Sequence, residues 1–209
     1  MFADRSDAGR VLARALADES WTDLLVLGLA RGGVPVAFEV ASALGGELGV
    51  AVARKIGAPG HPEFGVGAVT AEGDPIFDEH ALRTLGLTSD DLADRCAAER
   101  REARRRLELY RTGPVRLTGR DVVVVDDGLA TGVTARAALR EARQQDPRRL
   151  VLAVPVGAAD SVQALEEDAD AVVCPHPRTD FLAVGRFYRR FDQTSDDQVV
   201  GLLQQQRDD

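Results

Sequence analysis

Residues 122–134 read VVVVDDGLATGVT, and this stretch decides the fold. The four valines are apolar on both faces of an extended chain, which is typical of a strand in the middle of a parallel sheet. Two acids, Asp126 and Asp127, follow the valines directly. A turn of small residues comes next, and a helix is expected from Val133 onward. A buried strand that turns into a helix in this way indicates an α/β domain.

Apolar runs and helical periodicity alternate along the rest of the chain, without internal repeats or low-complexity linkers. The pattern predicts strands at 24–28, 49–53, 66–70, 75–78, 122–126, 150–156 and 171–174. It predicts helices at 7–18, 34–44, 89–110, 133–144, 160–167 and 196–205, the last with a capping box at Ser195 and Gln198. We therefore expect one doubly wound domain over residues 1–209, with a mainly parallel sheet and helices on both faces.

Composition and charge exclude several classes of protein. With 44% hydrophobic and 29% charged residues, the chain is not disordered. The net charge of -8 makes the surface as a whole repel nucleic acid. No apolar run approaches the roughly 18 residues of a membrane span, and the N-terminus lacks an apolar signal region. We therefore expect a cytoplasmic protein.

Cysteine and histidine are too sparse to build a metal site. Cys96 and Cys174 fit neither a disulfide framework nor a zinc site, and the three histidines are scattered along the chain. Buried or inert thiols are the expected outcome.

The turn after the valine strand is suited to a phosphate. Ligands of open α/β sheets bind beyond the carboxyl ends of the strands, where Asp126 and Asp127 emerge. The start of the following helix offers unpaired N–H groups and a positive dipole end, to which Thr131 and Thr134 add hydroxyls. No lysine follows Gly132, so this is not a Walker A loop. Two carboxylates beside a phosphate cradle suit the vicinal hydroxyls of a 5-phosphoribosyl group.

The same stretch resembles the binding motif for 5-phosphoribosyl 1-pyrophosphate (PRPP) of type I phosphoribosyltransferases. The resemblance implies that Asp126 and Asp127 hold the ribose 2′- and 3′-hydroxyls, directly or through Mg²⁺. It also implies a 5′-phosphate cradle formed by Ala130, Thr131, Gly132, Val133 and Thr134. Over its whole length the chain is similar to a family of stand-alone bacterial phosphoribosyltransferases, a similarity that specifies no substrate.

Residues 28–33, GLARGG, resemble the pyrophosphate loop of the same family. The resemblance assigns Ala30, Arg31, Gly32 and Gly33 to PRPP binding. Arg31 can pair with phosphate oxygens in a bidentate fork, and the glycines allow the backbone to present N–H groups. An ordinary connection between a strand and a helix is the alternative interpretation.

Residues 57–67, GAPGHPEFGVG, hold four glycines and two prolines without a period, which predicts a mobile loop. In the family the corresponding loop closes over the site and excludes water. Arg54 and Lys55, the only lysine of the chain, precede it and are candidates for contacting pyrophosphate. His61 and Glu63 are candidates for proton transfer, or incidental charges on a solvated loop.

The acceptor is left open by the sequence. Relatives that act on 6-oxopurines carry an acid at the position of Ala130, so the alanine argues against hypoxanthine and guanine and resembles adenine phosphoribosyltransferases. The resemblance implies a small hood that covers the base. Terminal segments and the helix at 89–110 are the candidates for forming it. Phe181, Phe187 or Tyr188 would then stack on the base, although a role in the core is the alternative.

Five arginines lie on the helix predicted at 89–110: Arg100, Arg101, Arg104, Arg105 and Arg106. A nucleic-acid surface is conceivable, but Glu102 with Arg106 and Arg104 with Glu108 have the spacing of helical ion pairs. A solvated or subunit-contacting face is therefore favoured, and the resemblance implies a homo-oligomer.

The preferred hypothesis is a Mg²⁺-dependent phosphoribosyltransferase that joins PRPP to a nucleobase or a similar small nitrogen acceptor. No protein nucleophile is required, because Mg²⁺, Arg31, Lys55 and loop N–H groups stabilise the leaving pyrophosphate. The rival is a non-catalytic PRPP or nucleotide sensor on the same fold. A phosphoacceptor domain also uses an acid pair, but it expects a lysine after a later strand, where this chain has none.

Overall fold

A computed structural model describes residues 1–110 and 115–208, apart from the side chains of residues 62 and 63. The helices are α1 (Arg5–Leu16), α2 (Gly33–Leu44), α3 (Glu79–Leu85), α4 (Ala93–Tyr110), α5 (Val133–Arg143), α6 (Ala159–Ala164) and α7 (Asp196–Asp208). The strands are β1 (Leu25–Leu29), β2 (Glu47–Ala51), β3 (Ala53–Ala58), β4 (His61–Thr70), β5 (Ile76–Phe77), β6 (Asp121–Val125), β7 (Arg149–Ala153), β8 (Val156–Ala158), β9 (Ala171–Val173) and β10 (His176–Arg178).

Five strands form a parallel sheet in the order β2-β1-β6-β7-β9. The valine strand β6 lies at its centre and is buried along its whole length, which confirms the prediction. Val123 and Val125 pack in one core cluster, on the side of α1, α2 and α7. Val122 and Val124 pack in the cluster on the side of α5. Helices therefore cover both faces, and the doubly wound α/β fold is confirmed.

Residues 57–67 form most of a β-hairpin, so the prediction that they lack regular secondary structure is wrong, whereas movement of this segment stays a prediction. Strands β3 and β4 pair antiparallel, and β5 adds a third strand to their sheet. Ile56 and Val66 are fully buried and pack with Cys96 of α4 in a core of their own. The glycines mark close approach between strands, since a Cβ on Gly67 would lie 2.4 Å from the Ile76 carbonyl oxygen.

Two further elements differ from the sequence prediction. The strand expected at 150–156 is interrupted at Pro155, which has no N–H for a sheet ladder, so β7 ends at Ala153 and β8 begins at Val156. Strand β8 then pairs with β10 in a separate two-stranded parallel sheet. Helix α3 was not predicted; Asp78 caps it by accepting bonds from the N–H groups of His80 and Ala81.

Helix α4 connects the hairpin sheet to the main domain. The Glu102–Arg106 pair is confirmed at 2.7 Å, whereas Arg104 donates to the Ala71 carbonyl at 3.0 Å instead of pairing with Glu108. The capping box of α7 is confirmed by reciprocal bonds between Ser195 and Gln198 of 2.9 and 3.1 Å.

The two cysteines are free, as expected. Cys96 is buried, and burial raises the pKa of the half-buried Cys174 to about 11, so its thiol stays protonated at neutral pH. Across the described ranges, every helix is too short or too polar to span a membrane.

Candidate functional site

The acid pair lies at the carboxyl end of the central strand. Asp126 and Asp127 directly follow β6, and the N–H of Asp127 donates to Oδ1 of Asp126 at 2.8 Å. The loop after the neighbouring strand β1 presses against them. A Cβ on Gly32 would lie 2.1 Å from Oδ2 of Asp127, and one on Gly33 would lie 2.4 Å from the Val125 carbonyl oxygen. The backbone contact at Gly33 requires glycine, whereas a side chain at Gly32 would displace the Asp127 carboxylate.

The negative charge of the two neighbouring carboxylates in this crevice is only partly compensated by the protein. Burial raises the pKa of Asp126 well above its ordinary value, and the negative charge of Asp127 raises it further. Burial also raises the pKa of Asp127, although Arg5 opposes that effect. Such a pair favours ligands that bring a cation or hydroxyl donors.

The acid pair fits Mg²⁺ that is held partly by substrate and water. Carboxylate oxygens are the ligands that Mg²⁺ prefers, and this ion commonly takes only one or two of them from a protein. Within the described part of the chain, no cluster of three or more His, Cys, Asp or Glu residues forms a dedicated metal cage. Asp126 and Asp127 are therefore the candidate ligands.

Asp127 is held by Arg5, which the sequence analysis missed, and by Tyr188, for which it predicted a different role. Arg5, the first residue of α1, places Nε 2.8 Å from Oδ2 of Asp127, and both side chains are 13% exposed. The hydroxyl of Tyr188 donates to the Asp127 carbonyl oxygen. No local pattern reveals these contacts, because Arg5 lies 122 residues from Asp127 and Tyr188 lies 61 residues away.

The turn between β6 and α5 is tied to the adjacent strand β8. The Leu129 N–H donates to the Val156 carbonyl at 2.9 Å, and the Ala158 N–H donates to the Leu129 carbonyl at 2.8 Å. Ser161 Oγ donates to the Ala130 carbonyl at 2.5 Å. Gly132 has a φ of 74°, which favours glycine. The turn is thus held in place while the first N–H groups of α5 have no acceptor within the helix.

The cradle residues differ in exposure. Ala130 and Thr131 are exposed, Gly132 is buried, and Val133 and Thr134 are half-buried at the start of α5. Because these five residues are consecutive, they lie together at the N-terminus of α5, in the turn that follows the acid pair.

The arginine of the glycine loop has a partner on the C-terminal helix. Arg31 follows a cis peptide bond with Ala30, and its NH1 lies 3.4 Å from Oδ1 of Asp196 at the start of α7. The Tyr110 hydroxyl donates to the same oxygen of Asp196. The guanidinium has five N–H donors, so this single contact leaves donors for a ligand.

Arg54 and Lys55 lie on opposite faces of β3. Arg54 pairs with Glu99 of α4 at 2.8 Å, which directs it toward the helix. Lys55 is exposed, and its Cδ lies 2.5 Å from the ideal Cβ position of Gly65. Gly65 lines a cavity of about 490 Å³ together with Thr131 and Val133 of the cradle. The structure therefore brings the Lys55 stem, but not Arg54, to the side of the hairpin that adjoins the cradle.

The two candidate proton-transfer residues lie on the hairpin. His61 is exposed at the first position of β4. Glu63 lies in the same strand, and its side chain falls outside the described part of the structure.

The aromatic residues of the predicted hood have different environments. The Phe181 and Phe187 rings stack on each other with centroids 5.4 Å apart. Tyr188 is 6% exposed and packs against Phe2 and Phe191, which agrees with the core role that the sequence analysis gave as the alternative to stacking on a base. Its ring belongs to the core, and its hydroxyl instead holds the backbone of the acid pair.

The N-terminal segment is joined to the C-terminal segment that holds Tyr188. The N–H of Phe2 donates to the Phe187 carbonyl at 2.7 Å, and the N–H of Arg189 donates to the Phe2 carbonyl at 2.9 Å. The N-terminal segment and residues 187–189 therefore meet close to Asp127, while a hood formed by the terminal segments stays a prediction.

Comparison with known proteins agrees with this geometry. A family model described as "Phosphoribosyl transferase domain" matches residues 5–192. The chain belongs to this phosphoribosyl transferase family. Its match includes the glycine loop, the hairpin and the acid-pair turn.

Proteins from Thermus and Mycobacterium are similar to this chain over nearly its whole length. The crystal structure of the protein TT1426 from Thermus thermophilus is 45% identical, with a TM-score of 0.81 and coverage of 98% of both chains. Relatives from two Mycobacterium tuberculosis strains, each named "Putative phosphoribosyl transferase", are 48% identical over 208 residues. That match covers 97% of this chain and 46% of each relative, so the chain spans about half the length of these curated relatives.

Proposed function

We propose that the chain transfers a 5-phosphoribosyl group from PRPP to a small nitrogen acceptor, releasing pyrophosphate. The observation that carries this proposal is the position of the acid pair. Asp126 and Asp127 lie between a glycine loop on one side and a helix N-terminus on the other. A sugar with vicinal hydroxyls, a 1-pyrophosphate and a 5′-phosphate has groups that match these three features. All of residues 1–209 would act as one such domain, with the joined termini as its hood.

The ribose and the 5′-phosphate bind at the central strand end. Asp126 and Asp127 accept hydrogen bonds from the 2′- and 3′-hydroxyls. The N–H groups and hydroxyls of residues 130–134 surround the phosphate, and the α5 dipole favours its negative charge. Because β8 fixes this turn, little reorganisation is needed when the phosphate arrives.

The pyrophosphate binds at the glycine loop. Gly32 and Gly33 bring the backbone of the loop close to the acid pair. Arg31 offers the guanidinium N–H groups that its contact with Asp196 does not use. Lys55 approaches from the hairpin, and Arg54 supports the hairpin through its pair with Glu99.

The reaction exchanges one bond at the anomeric carbon for another. The C1′–O bond to pyrophosphate breaks with its electron pair, the acceptor nitrogen forms the C1′–N bond, and the acceptor loses its N–H proton. Bound Mg²⁺ would neutralise charge on the leaving pyrophosphate. The chain orients C1′ between acceptor and leaving group, and Arg31 and Lys55 stabilise the developing negative charge.

The hairpin is the element that excludes water. Its tip is solvent-exposed at Gly60 and His61, while its base is packed on α4. Movement of the tip over C1′ would protect the cationic sugar from hydrolysis. His61 and Glu63 would then be the candidates for accepting the proton that the acceptor loses.

The acceptor is a nucleobase or a similar nitrogen compound. Ala130 cannot bond a 6-oxopurine through its side chain, which favours adenine or a non-purine acceptor. Phe181 and Phe187, which stack on each other and pack against the cluster of Phe2 and Tyr188, would provide an aromatic surface for the base.

The proposal is tested by pyrophosphate release from PRPP and Mg²⁺ across purines, pyrimidines and pyridine carboxylates. Asp126→Asn combined with Asp127→Asn is expected to abolish PRPP binding in calorimetry. Glu166→Gln with Glu167→Gln removes the same charge from an exposed acid pair and serves as the control. Normal PRPP affinity in the first double variant would refute the proposed site. PRPP binding without turnover on any acceptor would instead support the rival sensor function.

A further inference from the structure

The Asp127 carboxylate is held at its Oδ2 atom. Oδ2 lies 2.8 Å from Nε of Arg5. The same oxygen faces Gly32 so closely that a Cβ there would lie 2.1 Å from it. Arg5 and Gly32 together therefore define the direction of the carboxylate.

Arg5 is itself held before any ligand arrives. Its NH1 donates to the Asp192 carbonyl at 2.6 Å, and its guanidinium carbon lies 4.0 Å from the centre of the Phe191 ring. Asp192 and Phe191 belong to the C-terminal segment that is hydrogen-bonded to Phe2 and Ala3. The joined termini thus form the support of the guanidinium.

Two adjacent carboxylates repel each other in a crevice of low dielectric constant. Without a fixed cation, the Asp127 side chain would rotate away from Asp126, and the pair would no longer present its oxygens side by side. The ion pair with Arg5 opposes this rotation.

We infer that Arg5 is a positioning residue that aims Asp127 at the ribose. Its bond to Oδ2 leaves Oδ1 as the oxygen that accepts from a ribose hydroxyl. Arg5 acts through Asp127 and does not touch the substrate. This inference rests on the proposed function, because it assigns the second acid of the pair to the sugar hydroxyls.

A ligand pair that differs only in those hydroxyls separates positioning from a structural role. Calorimetry would compare ribose 5-phosphate with 2,3-dideoxyribose 5-phosphate. Arg5→Gln is expected to weaken ribose 5-phosphate binding about tenfold, as is typical when a supporting hydrogen bond is lost. Binding of the dideoxy compound is expected to stay unchanged. Arg5→Lys keeps the cation and is expected to restore affinity to within about threefold.

Two further variants provide a control and a milder perturbation. Arg10→Gln removes an arginine from the same helix, where its pair with Glu39 is 3.5 Å long and its side chain is 52% exposed. It is expected to bind like the wild type. Phe191→Leu removes the ring beside Arg5 while keeping its charge and is expected to lower ribose 5-phosphate affinity about threefold. This second variant tests the inference even if Arg5→Gln does not fold.

The outcomes distinguish the two proposals. Equal losses for both sugars would show a structural role and overturn the inference, as would unchanged affinity in Arg5→Gln and Phe191→Leu. In either case the proposed function would stand, because the wild type still binds the sugar phosphate. A wild type that binds neither PRPP nor ribose 5-phosphate would overturn the proposed function and this inference with it.

Discussion

Replacing Gly33 by alanine tests the close approach on which the site depends. Gly33 is the buried first residue of α2, and its new Cβ would lie 2.4 Å from the Val125 carbonyl oxygen and 2.9 Å from Asp126 Cα. Both colliding atoms belong to the backbone at the end of the central strand. The helix and the strand would have to separate by about 1 Å to restore ordinary contact.

The cost follows from the kind of atoms that collide. Overpacking in a core typically costs about 1–3 kcal/mol. We expect about 2–3 kcal/mol for Gly33→Ala, because no side-chain rotation relieves a backbone collision. In a chain of this size each kcal/mol lowers the Tm by about 2–4 °C, so the Tm should fall by about 4–12 °C.

Two other glycines provide matched comparisons. Gly201 in α7 has no atom within 4 Å of its ideal Cβ, so Gly201→Ala should raise the free energy of unfolding by about 1 kcal/mol through helix propensity. Gly32→Ala collides with the Asp127 side chain, which can rotate. It should therefore change the Tm less than Gly33→Ala and weaken PRPP binding more than Gly201→Ala does.

Thermal unfolding followed by circular dichroism measures all three variants without ligand. A Tm for Gly33→Ala within about 2 °C of the wild type would refute the reasoning, since it corresponds to less than about 1 kcal/mol. A larger Tm loss in Gly32→Ala than in Gly33→Ala would also refute it.

Three further predictions concern other parts of the chain. Asp196→Asn should weaken PRPP affinity about three- to tenfold in calorimetry, because it removes the negative charge that holds Arg31. Asp197→Asn, at the neighbouring exposed position, is the control and should leave PRPP affinity unchanged. Hydrogen bonds from Arg105 and Arg106 lower the pKa of Glu102 to about 2. The ionised carboxylate therefore stabilises the folded state fully above pH 4.5, and this stabilisation is lost as the pH falls through 2. Glu102→Gln should cost about 0.5–1 kcal/mol at pH 7 and nothing near pH 2 in urea unfolding. Asp121→Ala should lower the free energy of unfolding by about 2 kcal/mol in the same assay, because the buried carboxylate accepts the Thr22 N–H at 2.7 Å.

The sequence determined the features that depend on neighbouring residues. Four valines in a row require burial on both faces, and that requirement places β6 at the centre of the sheet. The acids, the small turn and the start of α5 then follow within one short segment, so the position of the acid pair beside a helix N-terminus was predictable from it alone. The capping box of α7 was likewise predictable, because Ser195 and Gln198 are three positions apart.

The hairpin was misread because its glycines act across strands. Within residues 57–67 the glycines interrupt any alternation of apolar and polar residues, which locally resembles a loop. The structure uses Gly67 where β5 approaches and Gly65 where the Lys55 side chain crosses. A glycine required by a neighbouring strand has the same sequence appearance as one required by a turn.

The tertiary structure alone decided which residues support the acid pair. Arg5 comes from the N-terminus and Tyr188 from the C-terminal segment, and the chain brings both to Asp127. Asp196 reaches Arg31 across a separation of 165 residues. Such contacts arise when two distant segments pack on the same sheet end, and they impose no periodicity or spacing on the sequence. The sequence therefore determined where the acid pair and the start of α5 lie, whereas only the fold determined what holds the acid pair in place.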